Sequence, residues 1–360
     1  MTDKAIQQAG RHSVYTQRIA GHIANQFDPY LEFLLDELRL AVLMFNNTGD
    51  LSKINKMIKD YDKAATGIYS DYNKDILLTE LKELAAYETG FTVDSILDGM
   101  ENPVPISQLT NAQTWSAVTS EPLLFEASNG VKLLSPFIAD WEAGQVKIVG
   151  DMIRTGFITG QTNQQIVSNI AGKNGYMQTK NKQSIKTMVR TATNHVSNTT
   201  RLATYGETSL VKGYEIVATL DMRTSNICKG YDGLIVKKTD KKKPKPPFHP
   251  NCRTTTAPVL DKRFMLDDSV ATRASKGVEG GQQVKANQTY YDWLKTQGGQ
   301  GAKGRAFVED VLGKERADLF LDGGLSVNKF KQLTLDELFQ PIPLDELRTK
   351  NSLQLAFDKI

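Results

Sequence analysis

Cysteine and histidine are scarce in this sequence: two of one and four of the other in 360 residues. The pair Cys228 and Cys252 cannot build a disulfide framework, and a reducing cytosolic setting is expected. Long apolar runs are also missing. The most apolar stretch, "PYLEFLLDELRLAVLMF" (29–45), is interrupted by Glu32, Asp36, Glu37 and Arg39, so no membrane span is expected. The opening "MTDKAIQQAGRHSVYTQRIAG" has no apolar h-region, and no secretory leader is expected. Charge of one sign is lacking too. A formal net charge of +3 does not by itself call for a nucleic-acid partner, so any basic effect must be local. HExxH, GxxxxGK[ST] and GxSxG are all absent, which removes the commonest metalloprotease, P-loop and hydrolase readings.

The remaining composition is that of an ordinary soluble protein, 40% hydrophobic and 24% charged, with length enough for two or three domains. Helical periodicity runs through 4–45, where Tyr30, Leu31, Leu34, Leu35, Leu38, Leu40 and Val42 recur. "NNTGD" (46–50) breaks it. Further helices are predicted over 51–62 and 75–100, the latter stopped by the prolines of "ENPVP". The stretches 133–160 and 161–172 read as a helix pair, and 181–207 as one long amphipathic helix. The texture then changes. "KGYEIVATLDMRTSNICKGYDGLIVKK" (212–238) reads as strand, loop, strand, and "RTTTAPVL" (253–260) as a third strand. Residues 260–290 are expected to form a surface loop. Short helices follow over 288–297 and 304–325. The fold class is α+β: a helical N-terminal region, then a mixed domain with a small antiparallel sheet. The expected units are 1–130, 131–340 and a tail, 341–360.

Chemistry concentrates in "KKKPKPPFHPNCRTTT" (241–256). Cys228, His249 and Cys252 are metal-ligand types, and His249-x-x-Cys252 has ligand spacing on a turn. A closed zinc site wants four ligands. Asp221 or Asp232 could be the fourth. The competing reading is a proline-stiffened turn in which His249 bonds to backbone and the cysteines pack as small hydrophobes. Lys241, Lys242, Lys243 and Lys245 crowd the same loop, which suits phosphate contact without base reading, or simple solvation. On the helix 181–207, Arg190, Asn194, Asn198 and Arg201 share one face, where they either brace a loop or meet water. His195, beside that row, is expected to be a surface or boundary residue. A metal-nuclease reading of "HPNC" is disfavoured, because any further histidine lies on a distant helix.

Taken together, "VRTATNHVSNTTR", "YEIVATLDMRTSNICKGYDGLIV" and "PPFHPNCRTT" resemble the phage head morphogenesis family, the Mu F-like minor head proteins. "NQTYYDWLKTQ" and "AFVEDVLGKERADLFLDGGLSVNKF" continue the resemblance, which covers roughly 150–335. It implies a minor virion protein, found inside the head near the portal and made in the host cytoplasm. Its expected partners are the portal protein, capsid and scaffold components and packaged double-stranded DNA, which such proteins accompany into the host in some phages. The family pattern has a Cys-x-x-Cys pair after its D-x-R-T step and ends in HPNCRC. Ser225 and Thr254 stand here where two of those cysteines would be, which weakens the case for zinc. The motif residues the resemblance singles out are Arg190, Asn194, Asp221, Arg223, Thr224, Pro250 and Arg253, with Arg253 expected to bond to carbonyls, Asp221 or Asp232. No catalytic residue and no required cofactor are expected. Two rival readings are an ADP-ribosyltransferase-like domain using Arg190, Thr224 and Glu309, and a plain DNA-binding module. An attached toxin is not expected in the roughly 25 residues beyond the domain.

Overall fold

Helix α1 (Asp3–Asn25) buries Ala5, Ile6, Ala9, Ala20, Ile23 and Ala24 along one side, and its apolar spacing is what fixes that side. The helix does not run on to residue 45. The chain turns at Gln26 and Phe27, and α2 (Asp28–Leu43) restarts with Pro29 in its first turn, where a missing N–H is harmless. The computed structural model describes residues 3–46, 50–125, 130–265 and 270–360. Asp50 caps α3 (Leu51–Tyr72) by accepting from the backbone N–H groups of Ser52 and Lys53. α3 extends ten residues past the expected end at 62. A π-helical turn (Asn73–Leu77) then leads into α4 (Leu78–Asp98).

A capping box of Thr110 and Gln113 starts α5 (Asn111–Ser120), a helix the apolar pattern had not marked. A short antiparallel hairpin of β1 (Leu123–Phe125) and β2 (Gly130–Lys132) follows. Then come α6 (Leu134–Ile158), α7 (Asn163–Ala171) and, after a second π-helical turn, α8 (Lys182–Gly206). Leu34, Leu38, Ile58, Tyr69, Val149, Ile153, Ile185 and Val189 belong to one continuous apolar core. The expected division at 130/131 therefore crosses this core without a break in packing. The reason is that α2 and α3 cover α6 and α7 directly.

Strand β3 (Val211–Val217) lies between β5 (Ile235–Lys237) and β6 (Thr255–Leu260), antiparallel to both, as the β-branched texture of 212–238 and 253–260 predicts. A second sheet was not foreseen. β4 (Leu220–Asp221) pairs in parallel with β7 (Thr272–Gly277), and β7 pairs antiparallel with β8 (Gly280–Lys285). The expected loop over 260–290 is thus partly a hairpin. Its strands are rich in small and polar residues, and Gly280 turns it with φ 81. Helix α9 (Asn226–Tyr231) fills the gap between β4 and β5.

A separate core is built by α10 (Tyr290–Gly298), α11 (Gly301–Leu312), α12 (Lys314–Leu321), α13 (Val327–Thr334), α14 (Leu344–Thr349) and α15 (Asn351–Phe357). Leu347, Leu353 and Ala356 are buried in it, so 341–360 is packed structure rather than a loose tail. A buried chain of polar contacts joins the helices to the first sheet. Glu88 on α4 takes His12 of α1 at 2.6 Å and Arg201 of α8 at 2.9 Å, and Arg201 reaches on to Thr255.

Candidate functional site

The segment 246–252 is shaped by its prolines. Pro246, Pro247 and Pro250 fix φ, and the Pro246–Pro247 bond is cis. Phe248 is buried and stacks on Tyr231 with ring centroids 4.6 Å apart. The Cys252 N–H donates to His249 O at 3.2 Å and closes a four-residue turn. Pro250 takes its second position and Asn251 its third, with φ 61, as a type II turn requires.

Helix α8 braces this turn from behind. Thr191 Oγ1 accepts from the Asn251 N–H at 2.8 Å. Asn194 and Asn198 donate side-chain N–H groups to Thr254 O, at 2.9 and 3.4 Å. Arg201 reaches Thr255 and Thr256, and Arg190 Nη1 lies 3.5 Å from Asn251 Oδ1. The polar row is a brace, not a solvated face. His195 departs from expectation. It is 1% exposed, its Nε2 is 3.0 Å from Val118 O, and burial pushes its pKa down to about 4.

Cys228 of α9, His249 and Cys252 converge, their donor atoms all within 4.8 Å of one another. The two sulfurs are 3.6 Å apart, and Cys228 Sγ is 3.3 Å from His249 Nε2. Both positions at which the resemblance expects cysteine also lie at this knot. Ser225 Oγ is 2.8 Å from His249 Nε2, and the Thr254 hydroxyl bonds to Cys228. The bond to Cys252 and then burial hold the Cys228 thiol well above its usual range. Burial opposes ionising Cys252, but Cys228 and His249 outweigh it and favour the thiolate. His249 is correspondingly raised: burial disfavours its charge, but Cys252 outweighs that, and Nδ1 donates to Pro250 O at 2.8 Å.

The suggested fourth ligands are engaged elsewhere. Asp221 takes a bidentate bond from Arg253 and a 3.1 Å bond from Thr224 Oγ1. Asp232 is held by Arg273 and by the N–H groups of Ala218 and Tyr290. Among the described residues the donor set stops at three, with two hydroxyls completing the shell, and a closed four-ligand zinc site does not fit it. Arg253 chooses Asp221, one of its expected partners. Arg223 is largely exposed, 3.9 Å from the same carboxylate.

The lysine cluster divides. Lys241, Lys242 and Lys243 are exposed, whereas Lys245 is half-buried and paired with Glu121, and burial lowers its pKa to about 8. A cleft of about 390 Å³ opens beside the turn. Arg190, Thr224 and His249 line it, but Glu309 on α11 does not, and no carboxylate is among its lining residues. The acidic member of an ADP-ribosyltransferase-like triad is therefore not in place. Sequence reasoning passed over the buried Glu88, whose only signal was a charge inside an apolar-periodic helix.

Residues 147–257 match the family model described as phage Mu protein F like protein. That span starts about where the motif resemblance starts and ends inside β6, short of residue 335. No curated protein and no solved structure matches the chain. The matched span holds α8, β3, β5, the start of β6 and the whole Cys–His turn, and over it the chain is similar to the Mu F-like head morphogenesis family.

Proposed function

We propose that this protein is a minor structural component of the phage head that binds the portal and sits inside the head at the portal vertex. The observation that carries the portal reading is an apolar stripe on the outer face of α2. Phe33, Leu40 and Met44 follow helical spacing and are 58%, 58% and 79% exposed, and Leu43 and, at the start of α3, Leu51 are exposed too. The same helix already buries Leu31, Leu34, Leu35 and Leu38 inward, so the stripe is a second, unpartnered surface. Packaged DNA is a further partner in this reading, through the exposed Lys241, Lys242 and Lys243. No helix among the described residues is long and apolar enough to cross a membrane.

Supporting a structural role rather than catalysis, the Cys–His knot spends its polar groups on one another and the adjacent cleft presents no carboxylate. The test uses the full chain, because α2 shares its core with α6 and α7. Co-expressed with the portal protein of the same phage, the wild type should co-purify, and a Phe33→Asp, Leu40→Asp, Met44→Asp variant should not. Unchanged co-purification of a folded triple variant would remove α2 as the docking face.

A further inference from the structure

The arginines packed around the first sheet come with carboxylates. Arg201 has Glu88, Arg253 has Asp221 and Arg273 has Asp232. Arg190 has none among the described residues. Its one side-chain contact, to Asn251 Oδ1, is at 3.5 Å, the limit of a hydrogen bond. Its Nε is buried and without a hydrogen-bond partner. A buried guanidinium N–H left bare is costly, and native folds rarely keep one without a reason.

Arg190 lines the cleft beside the Cys–His turn, and so do Arg223 and Gln17. Arg223 is largely exposed and reaches Asp221 only at 3.9 Å, so its fork is mostly free. Gln17 of α1 has no side-chain partner among the described residues. The carboxylate of this region, Asp221, is occupied by Arg253. The cleft thus gathers two under-used forked donors and an amide, with no lining carboxylate to repel an anion. An arginine fork matches the oxygens of phosphate and bonds them two at a time.

We propose that this cleft binds a phosphate group, with Arg190 as its inner anchor and Arg223 closing over it from outside. The phosphate is that of a free phosphate or nucleotide, or of a DNA backbone laid against the cleft. This goes beyond the DNA contact assigned to Lys241, Lys242 and Lys243, which lie earlier in the same connection from β5 to β6, do not line the cleft and would attract any polyanion.

Calorimetric titration of the full-length protein with inorganic phosphate, at constant ionic strength, tests it. Saturable binding is expected. Arg190→Gln should weaken it about tenfold, the loss of a charge-assisted pair. Arg223→Gln should weaken it by less, and Arg190→Lys, which keeps the charge but not the fork, should fall between wild type and Arg190→Gln. If Arg190→Gln does not fold, a Gln17→Ala, Arg223→Gln double variant replaces it and should also bind phosphate more weakly than wild type. No saturable binding, or equal affinity in wild type and the folded variants, overturns the proposal. A second arm titrates a short DNA duplex into the Lys241→Ala, Lys242→Ala, Lys243→Ala variant. Duplex that competes with phosphate for Arg190 identifies the DNA backbone as the source, and phosphate binding untouched by duplex identifies a free phosphate or nucleotide.

Discussion

Arg253 grips Asp221 with both ends of its guanidinium, Nη1 to Oδ2 at 2.5 Å and Nη2 to Oδ1 at 2.7 Å. One residue is the neighbour of Cys252 and the other ends β4, so the pair ties the Cys–His turn to the second sheet. Asp221 also caps its own loop by accepting from the Arg223 N–H at 3.0 Å.

Breaking that grip should be expensive. Arg253→Gln or Asp221→Asn should each lower stability by roughly 1–3 kcal/mol, because each strands a partly buried partner. Denaturant melts of both single variants and the double variant supply the check. Single effects that add within about 0.5 kcal/mol would mean the two side chains are not coupled. Burial opposes the charge on Asp221, but Arg253 outweighs it and holds the pKa below the ordinary value. Its contribution is therefore present above the unfolded-state pKa and is lost as pH falls through the folded value.

Two buried groups should bend the pH–stability curve in opposite directions. His195 is held neutral, its pKa lowered to about 4 by burial. Below about pH 6.5 the unfolded chain takes up a proton there that the fold refuses, so stability falls as pH drops from about 6.5 to 4. Glu215 is 5% exposed, and burial, then Asp232, raise its pKa to about 7. Its protonated form is favoured in the fold, so stability falls as pH rises from the usual carboxylate range to about 7. Glu215→Gln should therefore stabilise the protein at pH 8, by roughly 3 kcal/mol at most, and do little at pH 4. A melting-temperature gain equal at both pH values would show that Glu215 does not titrate this way.

The Cys–His turn should hold without metal. His249→Ala should cost roughly 1–3 kcal/mol, the loss of buried hydrogen bonds to Ser225 and Cys228. Elemental analysis after dialysis should find no stoichiometric zinc, and a chelator should leave the melting curve unchanged. Bound zinc together with unfolding on chelation would show that three donors suffice here.

For DNA, Lys241, Lys242 and Lys243 should act together and Lys245 apart, because Lys245 is committed to Glu121. Changing the three exposed lysines to alanine should weaken duplex binding and flatten the plot of log affinity against log salt, by up to about 0.9 for each phosphate no longer neutralised. The weakening should shrink as salt rises. An unaltered slope would leave the cluster a solvated loop.

Much of the helical architecture and the first sheet was legible, because apolar spacing and β-branched runs are local signals. The brace on α8 was legible as a row but not as a function: spacing puts Asn194 and Asn198 on one face, and only the fold shows Thr254 O waiting there. The hairpin of β7 and β8 was hidden because Thr272, Arg273, Ser275 and Gln282 carry no apolar alternation. His195 looked like a boundary residue because its polar neighbours on α8 hide how fully 191–201 are enclosed. The knot itself was half-visible. Ser225 and Thr254 could be named as stand-ins for cysteine, but their contact with His249 and Cys228 depends on where α9 and β6 meet.

Helix α1 rests on parts of the chain made far later. Ala5, Ile6 and Ala9 share a small core with Val217, Ala257, Ala271 and Ala286, and Gln7 bonds Thr272 across a separation of 265 residues. On the ribosome this stripe emerges long before the residues that form its seat. At ordinary synthesis rates the wait is roughly 15 to 60 s. During that interval the helix is an exposed amphipathic segment, open to chaperones and to other nascent copies. Yield in the cell should then depend on how α1 is sheltered during translation, a demand that the stability of the finished protein does not reveal.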